Sequence, residues 1–110
     1  MLIQLDLTKT TTIDQLIDLF NEKFEFPEWF GRNYNALADC LFTFYFPEES
    51  LCKISNKNGN DTVLECLAPS TTEGIELLSY IAEVLAYVNL KLSHTEIQGK
   101  FTMRPIFNAV

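Results

Sequence analysis

Nine of the fourteen aromatic side chains (nine Phe, four Tyr and one Trp) lie between residues 24 and 46: Phe24, Phe26, Trp29, Phe30, Tyr34, Phe42, Phe44, Tyr45 and Phe46. A chain of 110 residues builds one modest core and is too short for two. That core cannot hide nine rings on one short helix and its entry loop. The segment must therefore face the core on one side and leave some aromatic surface accessible on another, as interaction surfaces do. The opposing expectation is that all the rings fill the core beneath the loop.

The rest of the chain reads as an α/β pattern. Residues 2–7, LIQLDL, alternate imperfectly and suggest a first strand. Thr11 or Thr12 is placed to cap a helix running to about Phe24, with Asp14 in its first turn and an apolar stripe of Ile13, Leu16, Ile17, Phe20 and Phe24. Pro27 interrupts it and Gly31 allows a tight bend, so residues 26–33 should form a structured loop. Asn33 then caps a second helix from Tyr34 to about Phe44, and Pro47, Glu48 and Glu49 break the chain. Residues 50–55 and 62–67 are strand-like runs around NKNGND, whose Asn58-Gly59 pair signals a hairpin. A third helix is expected over residues 72–87, with the stripe Ile75, Leu78, Ile81, Ala82 and Leu85. Strands are expected at 90–94 and 101–107, the last pushed to a sheet edge by Pro105. The order β-α-α-β-β-α-β-β predicts one α/β domain over 1–110, with helices layered on a small mixed sheet.

Composition narrows the function. Apolar residues make up 47% and charged residues 21%, as in ordinary globular chains. No run of about 18 apolar residues spans a membrane. The start, MLIQLDLTK, lacks the basic and apolar blocks of a signal peptide, so a cytoplasmic location is expected. The formal charge of −7 comes from 15 acids against 8 bases. It disfavours direct nucleic-acid binding and acidic membrane surfaces, and it suits a basic protein partner. Cys40, Cys52 and Cys66 are odd in number, lack C-x-x-C spacing and sit in apolar runs, so buried reduced thiols are expected. His94 stands alone, flanked by Ser and Thr, so neither metal nor other cofactor is expected. No converging nucleophile and base, Gly-rich phosphate loop or G-x-S-x-G motif argues for an enzyme.

The second helix has two faces. Leu37, Cys40, Leu41 and Phe44 fall at i, i+3, i+4 and i+7 and should face the core. Asn35, Ala38, Asp39 and Phe42 repeat that spacing on another surface. Asp39 therefore need not be buried.

The stretch PEWFGRNYNALADCL, residues 27–41, resembles the signature of the barstar family of intracellular ribonuclease inhibitors. Pro27, Glu28, Trp29, Phe30, Gly31, Asn33, Ala36, Leu37, Asp39, Cys40 and Leu41 fit without a gap. The resemblance implies a barstar-like layered fold, with a small, mostly parallel sheet packed by helices; the hairpin and the C-terminal strand look like additions. It implies that this loop and helix enter the active site of a ribonuclease, with Asp39 where substrate phosphate would bind and Trp29, Gly31 and Asn33 lining the approach. Glu83 is the nearest equivalent of a family Glu that touches the enzyme from a later helix. Asn35 stands where barstar has an acid, Ala38 where it has a Trp, and the bulky run from Phe42 to Phe46 replaces small residues. The scaffold looks kept and the contact set re-cut, so the target need not be barnase.

The function expected from this resemblance is that of an immunity protein, binding a basic nuclease toxin as a monomer in a 1:1 complex. Bacterial toxin–immunity pairs, contact-dependent ones included, are the natural setting. The alternative is a barstar-like interaction module with a non-nuclease partner.

Overall fold

The computed structural model describes residues 1–108. Its elements run β1 (Leu2–Asp6), α1 (Ile13–Phe24), α2 (Tyr34–Thr43), β2 (Thr62–Pro69), α3 (Thr72–Leu92) and β3 (Phe101–Asn108). The strands form a three-stranded sheet in the order β1-β2-β3, and both pairings are parallel. Leu5 lies beside Cys66, and Leu64 beside Met103. Both crossovers step the same way across the sheet, which under the right-handed rule puts their helices on one side. The burial pattern agrees. Ile3, Leu5, Leu64, Cys66, Ala68 and Phe101 are buried on one face, while Gln4, Asp6, Arg104 and Ile106 are exposed on the other.

The sheet is thus α/β and layered, as expected, and β3 is an edge strand carrying Pro105. Two expected strands are absent. Residues 50–55 do not pair with 62–67, because β2 is the central strand and both its edges are taken by β1 and β3. Backbone groups of this segment bond elsewhere: Lys53 N–H to the Phe24 carbonyl at 3.2 Å and Asn56 N–H to that of Phe44 at 2.9 Å. Gly59 does adopt the left-handed φ of 69° that the Asn-Gly pair signalled, but it turns a loop and not a hairpin. Residues 90–94 are likewise no strand. Val88 and Leu92 extend the buried spacing of Ile81, Val84 and Leu85, so α3 continues to Leu92. Ile75 and Ala82, expected on the core stripe, are exposed, as is Ile13 of α1.

α1 and α3 start as their sequences suggest. Thr12 accepts from Gln15 N–H, and Thr71 accepts from Gly74 N–H. At the end of α3, the Asn89 amide clamps the first residue of β3: its Nδ2 donates to the Phe101 carbonyl and its Oδ1 accepts from the Phe101 N–H, both at 2.8 Å.

A polar knot ties the irregular segment after α2 to the sheet. The Tyr45 hydroxyl meets the Asn60 carbonyl and the Thr62 hydroxyl at 2.8 Å each. Asn56 Nδ2 donates to the same two oxygens at 2.9 Å. Asn56 and Thr62 are buried, so each bond saturates a group that water cannot reach. Burial also pushes the Tyr45 phenol above its ordinary range, partly offset by its bonds to Thr62 and Asn56.

All three cysteines are buried and free. Burial, with Asp39 nearby, pushes Cys40 up to about 11. Burial pushes Cys52 to about 12 with Cys40 adding to it, and Cys66 to about 12 with Glu65 adding to it. A thiol that is both enclosed and protonated is a poor nucleophile.

Two outcomes follow from this packing. Tyr45→Phe should destabilise the protein by roughly 1–3 kcal/mol, because it leaves buried polar partners short of a bond. Urea unfolding should show a lower midpoint with an unchanged slope; an unchanged midpoint would contradict the knot's role. A thiol reagent at about pH 8 should react with the native protein only as fast as it opens, and should count three thiols after denaturation without reductant. Rapid reaction of the native state would contradict it.

Candidate functional site: the loop before α2 and the outer face of α2 and α3

Five of the nine clustered rings are core: Phe24, Phe26, Phe30, Phe44 and Tyr45. They form a continuous stack, in which Phe24 lies 5.9 Å from both Phe20 and Phe26 and meets Phe44 edge-on at 5.2 Å. Phe26 and Phe30 are 4.7 Å apart, which roots the loop in the core at its start and its middle. Tyr34, Phe42 and Phe46 are half-buried. Trp29 is 71% exposed. The segment thus divides its rings between core and surface, as its aromatic density requires.

Loop geometry depends on Arg32. Gly31 is exposed but is not among the positive-φ residues; the left-handed residue of the bend is Arg32, at φ 53°. That conformation costs a non-glycine residue on the order of 1 kcal/mol. The guanidinium offsets the cost by forking to two carboxylates of α1, Asp14 at 2.9 Å and Asp18 at 2.7 Å, and by donating to the Asp14 carbonyl at 3.2 Å. Asn33 follows as the N-cap of α2, its Oδ1 accepting from Ala36 N–H at 2.8 Å. Its side chain therefore holds the helix start.

α2 buries Leu37, Ala38, Cys40 and Leu41 and packs against α3. Ala38 is therefore not on the surface where the sequence spacing put it. A helix covered by α3 and by the segment at Cys52, whose Sγ donates to the Cys40 carbonyl at 3.3 Å, buries a stripe wide enough to take in Ala38, and this corrects its assignment to the outer face. Asn35 and Asp39 are exposed, and Phe42 is half-buried.

α3 supplies the neighbouring surface. The Tyr34 hydroxyl donates to the Glu83 carbonyl at 3.3 Å, and its ring meets Tyr80 edge-on at 5.9 Å and stacks on Tyr87 at 6.2 Å. Burial, together with the Glu83 and Tyr87 charges, raises the Tyr34 phenol. Glu83 is exposed next to the start of α2. Lys91 reaches Asp39 Oδ1 at 3.4 Å, and its ammonium lies over the Phe42 ring at 4.6 Å and the Tyr87 ring at 5.7 Å. Sequence patterning pointed to Asp39 and Phe42, and the family resemblance to Glu83; both missed Arg32, Tyr34, Tyr87 and Lys91. A helix read to residue 92 would have put Glu83, Tyr87 and Lys91 on one face at i, i+4 and i+8.

Among the described residues, no three His, Cys, Asp or Glu side chains gather as a metal would need, and no helix is long and apolar enough to cross a membrane.

This is a parallel-sheet α/β scaffold presenting a capped helix with an outward carboxylate beside aromatic rings. The model of the barstar (barnase inhibitor) family matches residues 1–54, so the N-terminal half of the chain is similar to that family. No curated protein matches the chain. At the level of the family, the activity is inhibition of a barnase-type ribonuclease through a protein–protein complex, and its members are inhibitors rather than enzymes.

Arg32→Ala tests the loop geometry. Both ion pairs are exposed, so each should contribute at most about 1 kcal/mol to stability. The loop should nonetheless loosen, and time-resolved fluorescence anisotropy of Trp29, the chain's single Trp, should report a faster local motion. Unchanged anisotropy would mean the ion pairs do not hold the bend.

Proposed function

We propose that this chain, as one domain over residues 1–110, is an immunity protein that occludes the active site of a basic nuclease toxin, a ribonuclease first of all. Asp39 acts as the central anion, standing in for a substrate phosphate. Trp29, Gly31, Asn33, Asn35 and Phe42 line the approach from the loop and α2, and Glu83 flanks it from α3. Asn33 contributes through backbone and position, since its side-chain oxygen is engaged in capping. Ala38 supports the helix from beneath. The protein acts as a monomer in a 1:1 complex in the cytoplasm of a bacterial producer cell, in a toxin–immunity or contact-dependent inhibition pair.

The observation that carries this reading is the outward carboxylate of Asp39 on a helix whose other side is fixed in the core. A carboxylate held on a rigid helix can meet converging Arg and Lys groups with charge-assisted bonds that cost little ordering. The net charge of −7 adds an attractive long-range field toward a basic enzyme. A non-nuclease partner is the second reading. It is favoured by Asn35, which lacks the family's acid, and by a family match that stops at residue 54.

The test is calorimetric titration against a catalytically inactive barnase-type ribonuclease, with circular dichroism as the fold control. Asp39→Ala should melt within about 0.5–1 kcal/mol of wild type, because it removes only an exposed ion pair and leaves no cavity. It should weaken binding by about 2–5 kcal/mol, or roughly 30- to several-thousand-fold, a scale for which the barnase–barstar complex is itself the reference case. Trp29→Ala should also weaken binding, as loss of an aromatic anchor. Wild-type affinity in a normally folded Asp39→Ala protein would remove α2 as the inhibitory surface. A wild-type protein that fails to bind the ribonuclease would favour the second reading.

A further inference from the structure

Lys91 is the cation nearest the one carboxylate on which the proposed function turns, and it belongs to the half of the chain beyond the family match. Its contact with Asp39 is a single one, at 3.4 Å to Oδ1, with the carboxylate side chain 63% exposed and the lysine 34% exposed. That is long for a charge-assisted bond, whose usual N···O distance is about 2.7–2.9 Å. The same ammonium is held independently of Asp39. It sits over the Phe42 and Tyr87 rings, inside the roughly 6 Å range of a cation–π contact. The two rings come from different helices, Phe42 from α2 and Tyr87 from α3, so the seat is built by the packing of those helices.

We propose that Lys91 is a built-in counter-ion that determines which cationic sites Asp39 can enter. This rests on the reading of Asp39 as the central contact. A partner offering one loosely held cation gains nothing, since it exchanges one weak ion pair for another while facing Lys91 as a like charge. A partner with several converging cations, above all a bidentate guanidinium, forms shorter and stronger bonds and displaces the ammonium. Lys91 then remains on its rings beside the interface. It lowers the affinity for every basic site and lowers it most for poorly matched ones. Lys91 is thus a specificity-determining residue of the inhibitor.

The experiment compares wild type with Lys91→Met, Asp39→Ala and the double variant, against the same inactive barnase-type ribonuclease, at low and high salt. Methionine keeps an apolar stem over the rings and removes the charge. Lys91→Met should bind about three- to fivefold tighter, with most of the gain in the association rate and most of it lost at high salt. The gain should vanish in the Asp39→Ala background, since the charge acts through that carboxylate. Lys91→Met binding with unchanged or weaker affinity, while Asp39→Ala still abolishes binding, overturns the counter-ion role and leaves the proposed function standing. Asp39→Ala binding like wild type overturns the proposed function instead. A readout without partner is the NMR shift of the Lys91 ε-methylene protons. They should stay displaced upfield by the two rings in Asp39→Ala, and reversion to an unstructured-lysine shift overturns the proposal even if no ribonuclease binds.

Discussion

The inner face of α2 is the constraint on which the site depends. Leu37, Ala38, Cys40 and Leu41 are buried in the core on the side where α2 packs against α3, so the helix cannot rotate without exposing all four. Their burial fixes where the opposite side points, and with it the direction of Asp39. The loop ahead of α2 is fixed by the same principle of two attachments. Phe26 and Phe30 root it in the aromatic stack, and Arg32 ties its bend to Asp14 and Asp18 of α1. A surface built on fixed elements loses little freedom on association, so more of its contact energy survives as affinity.

Much of this was legible in local patterns. The caps at Thr12 and Asn33, the loop between Phe26 and Asn33 and the burial of Leu37, Cys40 and Leu41 in α2 each follow from a short stretch whose signal no distant residue contradicts. The misses were all decided by long-range pairing. Residues 50–55 carry a strand-like composition, but a central parallel strand has two edges and both were already occupied. Residues 90–94 look β-like in isolation, yet Val88 and Leu92 lie in register with a core stripe that favours another helical turn. Ala38 looked exposed because a narrow stripe was read where a helix covered by both α3 and the segment at Cys52 needs a wider one. The left-handed bend fell on Arg32 and not Gly31, because a pair of acids on α1 stabilises a conformation that local sterics disfavour.

Those long-range features also complete the candidate site. Glu83, Tyr87 and Lys91 come from α3, beyond the residues the family model matches, yet they border the α2 surface that it does match. The matched half supplies the loop and the carboxylate. The other half supplies the rings under Tyr34 and the cation beside Asp39. A chain can therefore keep the family's loop and helix and still change what that surface selects, because specificity rests on a few central groups and their immediate neighbours.

The balance of charge at this surface bears on how selective it can be. The net charge of −7 attracts any basic protein at long range, and by itself discriminates poorly among them. Discrimination has to come at contact, from groups that penalise a poor fit more than a good one. Asn35 carries no charge, and Lys91 contacts one Asp39 oxygen. Both features weaken the nonspecific part of the attraction at the centre while leaving the outward carboxylate in place. On the proposed reading, an acidic chain with a partly neutralised centre is drawn to many basic surfaces, but it is held only by one whose cations converge on a single oxygen pair more closely than Lys91 does.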